Sequence, residues 1–198
     1  MSFFLALLIF CFSTSVTPGP NNLMIMLSGV KFGIKLSMPH YLGILFGFSA
    51  MIILVGIGLG EIFTRYPLLH EIIKYFGAAY MLYLAMKTIL ADPHLAKVKG
   101  QAKPLTLIQA LLFQWINPKA WIMAIGSVAT YTTVTGNMLQ QVLLISGIYF
   151  LVGIPSVGTW LVGGAALSKY LHNPAHMKRF NLTMGVLLIL SIVLMFFE

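Results

Sequence analysis

The chain has 198 residues, 59% of them hydrophobic and 8% charged, with a mean hydropathy of +0.94. A soluble domain carries about 25% charged residues, so this composition excludes an ordinary water-facing surface and leaves little room for a separate soluble domain. The formal charge of +8 is spread between apolar segments rather than gathered into a stripe, which argues against a nucleic-acid partner and for the loop charges of a protein embedded in the lipid bilayer.

The first apolar segment covers about residues 3–30. No basic residue precedes it, and it outruns the roughly 7–15 apolar residues of a secretory signal, so it reads as a permanent span. Thr17-Pro18-Gly19-Pro20-Asn21-Asn22 breaks it near the middle. A proline inside a helix removes a donor and clashes with the preceding turn. In lipid the freed backbone groups need partners within the protein. Cys11 is the only cysteine, which excludes an intrachain disulfide and a Cys-x-x-Cys redox centre.

The second segment, about residues 39–63, has Ser37 as a candidate cap and Pro39 suited to a first turn. Gly43 and Gly47 are spaced as Gly-x-x-x-Gly. That spacing lets helices pack closely, either within one chain or between the copies of a homodimer. His40, at the start of this segment, is expected to be solvated. A third segment covers about residues 72–90, and a polar, lysine-containing linker follows over about 92–103. The fourth runs over about 107–131, opened by a Thr106/Gln109 capping box and broken at Asn117-Pro118-Lys119. The fifth, about 138–167, contains Gly153, Pro155 and Gly158, and the sixth covers about 180–197. With about 20 residues needed per crossing, the expected fold is an all-α integral membrane protein of six transmembrane helices.

Lys31 and Lys35 lie in the first connection, Lys87, Lys97, Lys99 and Lys103 in or beside the third, and Lys169, Lys178 and Arg179 in or beside the fifth. The second connection mixes Arg65 and Lys74 with Glu61 and Glu71, and the fourth carries no charge. Cytoplasmic loops hold the excess of Lys and Arg, so the odd connections are expected inside and both termini outside. Three spans per half then give two inverted repeats, about 1–91 and 104–198 within a single transporter domain, each opening with a proline-broken helix. Interrupted helices at matching places in two halves point to a substrate site near the bilayer midplane.

Gly19-Pro20 and Asn117-Pro118 both read as a cap followed by a first helical residue. Each break therefore starts a half-helix whose N-terminal end carries about half a positive charge and suits a carboxylate. Lys119 is a charged residue at mid-span depth, a functional candidate by default. It has three open roles: binding a carboxylate, carrying a proton, or pairing with backbone carbonyls. Asn21, Asn22 and Gln114 either bind a substrate's polar groups or satisfy the opened backbone.

Thr17-Pro18-Gly19-Pro20-Asn21-Asn22, the following Gly33, Gly43 and Gly47, and the later Asn117-Pro118-Lys119 resemble the lysine exporter (LysE/RhtB) family over nearly the whole chain. The resemblance implies a secondary transporter of the bacterial inner membrane that exports amino acids or related metabolites, coupled to protons and using no cofactor or metal. It implies a substrate path through Pro18, Gly19, Pro20, Asn21, Asn117, Pro118 and Lys119. The closer branch is that of homoserine, threonine, cysteine and neutral amino acids, since no acidic residue lies deep in a span to pair a cationic side chain. An enzyme is disfavoured, with no His-Glu-x-x-His or Gly-x-Ser-x-Gly motif. A channel, an electron carrier or an assembly subunit of similar architecture is the alternative. The electron carrier would need a second cysteine.

Overall fold

The computed structural model describes residues 3–59, 65–91, 103–133 and 135–195. Among these the fold is entirely helical. α1 is Phe3–Val16, and the chain turns helical again at Pro20. The stretch Pro20–Leu54 is 35 residues, about 52 Å if straight, far more than one crossing of a roughly 30 Å hydrocarbon layer.

Gly33 divides that stretch. Its φ of 74° is open to glycine but costly for other residues. Ser28 and Ser37, about 13 Å apart along a straight helix, have their Oγ atoms 2.7 Å apart across it. The chain therefore doubles back into α2 (20–32) and α3 (34–54), and a π turn, Val55–Leu59, extends α3. The reversal is tighter than the sequence implied. The helix resumes at once, so Pro39 lies inside α3, and Ser37 bonds Ser28 instead of capping. His40 is 3% exposed rather than solvated.

The remaining helices are α4 (Pro67–Ile89), α5 (Leu107–Phe113), α6 (Pro118–Tyr131), α7 (Met138–Leu167) and α8 (Pro174–Met195). A 3-10 turn, Gln114–Ile116, separates α5 from α6. Thr106 caps α5 reciprocally with Gln109, as its spacing requires. α7 stays continuous through Pro155. The linker over 92–103 lies outside the described residues except for Lys103, as do Glu61, Lys97 and Lys99.

The helices run between two ends. At one end Val30 packs with Leu171 and Met177, and Gly43 meets the carbonyl of Leu107. At the other end Tyr131 donates to the Ala6 carbonyl at 3.3 Å, and Gly56 abuts Val142. α1 and α2 thus run from the second end towards the first, and α5 and α6 run the opposite way.

α7 forms the spine of the packing. Gly29 of α2 sits against Leu161 and Ala165, Gly164 against Met26, and Gly153 against Leu45 of α3. Gly43 and Gly47 press against α5, where a methyl group on Gly47 would stand 2.7 Å from Leu111 Cα. That glycine face is therefore covered within the chain. The outside is apolar: Leu182, Val186, Leu190 and Val193 form an exposed stripe along α8. Met138–Leu167 is long and apolar enough to cross a membrane, and so is Pro20–Gly58, the latter folded at Gly33. A greasy exterior around a core holding Asn22, Gln114 and Asn117 inverts the pattern of a soluble protein.

Candidate functional site

The two breaks meet. Gln114, just before the second, exchanges amide hydrogen bonds with Asn21 of the first, at 2.8 and 3.2 Å. Lys119, one residue past Pro118, sends its ammonium across to Thr17 O at 3.0 Å, Thr17 Oγ1 at 2.7 Å and Pro18 O at 3.0 Å. Gly19 permits this approach, since a methyl group there would lie 2.7 Å from Lys119 Cδ. A cation at the carboxyl end of α1 also complements that helix's dipole. Of the three roles open to Lys119, the contacts seen are those of pairing with backbone carbonyls.

The first break is fully bonded at its carbonyls. Thr14 O accepts from Thr17 Oγ1, Ser15 O and Thr17 O from Asn22 Nδ2 at 2.7 and 2.9 Å, and Val16 O from Trp160 Nε1 at 3.1 Å. Pro18 O accepts from Lys119, and Gly19 O from the Leu23 amide. Asn22 is thereby committed to the backbone. The donors are another matter. Pro20 opens α2 with Gly19 as its cap residue and no side-chain cap, so the first-turn N–H groups lack that partner.

At the second break Asn117 stands in the cap position before Pro118, again without a capping bond. Trp121 Nε1 donates back to Trp115 O at 3.0 Å. Gly77 of α4 comes close behind, where a methyl group would be 2.7 Å from Pro118 Cγ.

Between the breaks lies a cavity of about 50 Å³, counted over positions open to the centre of a water molecule. That is room for roughly three to five waters. Its polar lining includes Asn21, Asn22, Asn117, Lys119, Thr14 and Tyr149, and its apolar wall includes Ile44, Phe48 and Met123. The structure brings Gly19, Pro20, Asn21, Asn22, Asn117 and Lys119 to this cavity. Thr17, Pro18, Gln114 and Pro118 stand behind it as bonded or packed support. Among the described residues no cluster of His, Cys, Asp or Glu could hold a metal ion.

The cavity thus lies at two uncapped helix starts inside a greasy bundle, with a mostly apolar wall that carries a few polar side chains. The family model described as LysE type translocator matches residues 12–197. The chain belongs to the LysE family. This LysE protein is a membrane transporter and not an enzyme. It is 24% identical over 190 residues to the uncharacterized membrane protein YrhP of Bacillus subtilis, covering 88% of this chain and 89% of that one. It is 26% identical over 186 residues to a cysteine/O-acetylserine efflux protein of Escherichia coli, covering 93% and 92%. It is 24% identical over 180 residues to a homoserine/homoserine lactone efflux protein of Salmonella typhimurium, covering 89% and 87%. No solved structure matches it.

Sequence reasoning missed two contributors, one to the cavity and one to the first break. Tyr149 bonds Thr14 at 3.1 Å and lines the cavity, and Trp160 holds the Val16 carbonyl. Both carry a polar tip on an aromatic body near the middle of an apolar helix, where such a tip needs a partner. That signal was available, but it could not name the partner.

Proposed function

We propose that this LysE protein exports amino acids from the cytoplasm as a proton-coupled secondary transporter of six spans, arranged as two inverted three-helix repeats. The observation that carries the reading is the meeting of two oppositely directed broken helices at a cavity whose mostly apolar wall carries a few polar side chains. The named efflux activities of its relatives supply the substrate class. The amino acid's carboxylate docks at the uncapped start of α2, beside Lys119, whose Nζ would be 3.1 Å from a methyl group on Gly19. Helix dipole and ammonium then act on the same anion.

The proposed orientation puts the end bearing Lys31, Lys35, Lys87, Lys103, Lys169, Lys178 and Arg179 in the cytoplasm and both termini outside, in a bacterial inner membrane. The positive-inside tendency supports it. Because the Gly43 and Gly47 face is occupied by α5, a homodimer would need a different surface.

The test is efflux from proteoliposomes loaded with L-homoserine, L-cysteine or O-acetyl-L-serine, with and without an imposed pH gradient. Saturable flux that strengthens with the gradient is expected. Non-saturating flux would replace the carrier with a channel, and flux indifferent to pH would remove the proton. Orientation is checked separately by labelling single cysteines at Lys99 and Asn137 with an impermeant reagent on intact cells, after Cys11 is replaced. Labelling at 99 but not 137 would reverse it.

A further inference from the structure

We infer that the outward part of the cavity is a side-chain subsite for a short, uncharged amino acid, and that Phe48 and Met123 set the length it admits. This rests on the amino-acid reading above and names its substrate class.

With the carboxylate at the start of α2, the cavity offers the rest of the molecule two directions. Towards the lysine-rich end the wall is closed. Ile44, Leu45 and Val157 line the cavity there. They pack into one cluster with Ile25, Ala110 and Leu161, none of the six more than 6% exposed. An interior packed to this degree has no spare room for a substituent. Towards the end bearing Ala6 and Tyr131 the wall is looser. α3 and α6 both run that way, so Phe48 stands one turn beyond Ile44, and Met123 about 6 Å beyond Lys119 along the helix axis. Both line the cavity, and both are only partly buried. Tyr149 bounds this part, its ring 5.1 Å from that of Phe48 and edge to face with it.

The chemistry of this outward part is neutral. Thr14 Oγ1 gives its proton to Phe10 O at 2.7 Å, so Tyr149 is the donor in the 3.1 Å bond between the two hydroxyls. Phe48, Met123, Ala120 and Gly153 add apolar surface. No acidic residue lines the cavity, and Lys119 is its one charged side chain. A charged substituent would therefore lose its hydration against apolar surface and find no opposite charge to replace it. Size acts together with charge. The cavity of about 50 Å³ holds roughly three to five waters. The ammonium, α carbon and carboxylate of an amino acid take up most of that room, which leaves only a short side chain before Phe48 and Met123 are met.

The test measures binding to purified protein by calorimetry. The ligands are L-2-aminobutyrate, L-norvaline and L-norleucine, which differ by single methylenes, and L-2,4-diaminobutyrate, which replaces the terminal methyl of norvaline with an ammonium. Wild type should bind aminobutyrate roughly tenfold or more tighter than norleucine, the weight that even one methylene carries in an apolar pocket. It should prefer norvaline to diaminobutyrate by about tenfold or more. Met123→Ala should bring norleucine to within about twofold of aminobutyrate and still reject diaminobutyrate. Phe48→Leu should relax the limit in the same direction and serves if the alanine variant does not fold. A wild-type affinity that stays level or rises along the methylene series overturns the inference, and so does diaminobutyrate binding as well as norvaline. A length limit unchanged in the folded variant overturns it too. A wild type that binds none of the four overturns the amino-acid reading itself and takes this inference with it.

Discussion

The two proline breaks solve the same problem to different degrees. At the first, each carbonyl from Thr14 to Gly19 accepts a hydrogen bond, drawn from Thr17, Asn22, Trp160, Lys119 and the Leu23 amide. At the second, Asn117 Oδ1 is buried and unmet. The first break is held by side chains from α2, α6 and α7. The second contributes the clamp, Lys119, and leaves one buried acceptor unmet. A break can be stabilised by distant parts of the chain and still present chemistry, provided the two tasks fall on different atoms.

Removing the clamp should have the largest effect on this contrast. Lys119→Met takes a donor from three oxygens of the first break at once. These contacts lie at exposed residues and Thr17 O keeps its bond from Asn22, so the melting temperature should fall by no more than a few degrees while efflux falls by more than tenfold. Wild-type melting and flux would show that the first break stands without the second. Asn22→Leu comes next. It strips Ser15 O and Thr17 O of the same donor while leaving the cavity's charge unchanged, so a stability loss of about 1–3 kcal/mol should exceed the loss of binding. Chemical denaturation and calorimetry on one preparation separate the two.

Gly19→Ala should act more mildly and only through Lys119. Gly19 has an extended backbone, φ 178°, so alanine brings no strain, but its methyl group meets the end of the lysine side chain. Efflux should fall severalfold. In a double-mutant cycle the loss should largely vanish on a Lys119→Met background, and additive losses would contradict the proposed route. Asn21→Ala and Gln114→Ala probe the weakest link, the reciprocal amide pair. Each should cost about 1 kcal/mol and the pair should be strongly non-additive by the same cycle. Independent effects would mean that the two breaks are not joined there.

Much of this architecture could be read from the sequence, since prolines and apolar runs act locally. Pro20 and Pro118 open helices as their neighbours implied, the Thr106 cap formed, and the fifth segment matched α7 from Met138 to Leu167. Errors arose where tertiary contact overrode local preference. Ser37 looks like a cap until Ser28 comes within 2.7 Å across the Gly33 reversal. His40 looks solvated at a helix start, but the tight reversal draws it into the core. The site was half legible. Its residues could be named from the two motifs, but their division of labour depends on contacts about a hundred positions apart along the chain, such as Lys119 with Thr17. No local pattern encodes that Asn22 bonds carbonyls while the Asn117 oxygen is buried without a partner.

All three tryptophans of the chain stand at the breaks. Trp121 donates to the Trp115 carbonyl, their rings lie 5.7 Å apart, and Trp160 donates to Val16 at the end of α1. The protein is therefore labelled for optical work without added dye: its indole emission comes wholly from the region where the half-helices meet. With Trp115 and Trp121 replaced by phenylalanine, the remaining fluorophore is hydrogen-bonded to the first break itself. A rearrangement that releases the Val16 carbonyl would expose that indole to a changed polarity and shift its emission wavelength, which allows stopped-flow timing of the transport cycle in the unlabelled bilayer-embedded protein.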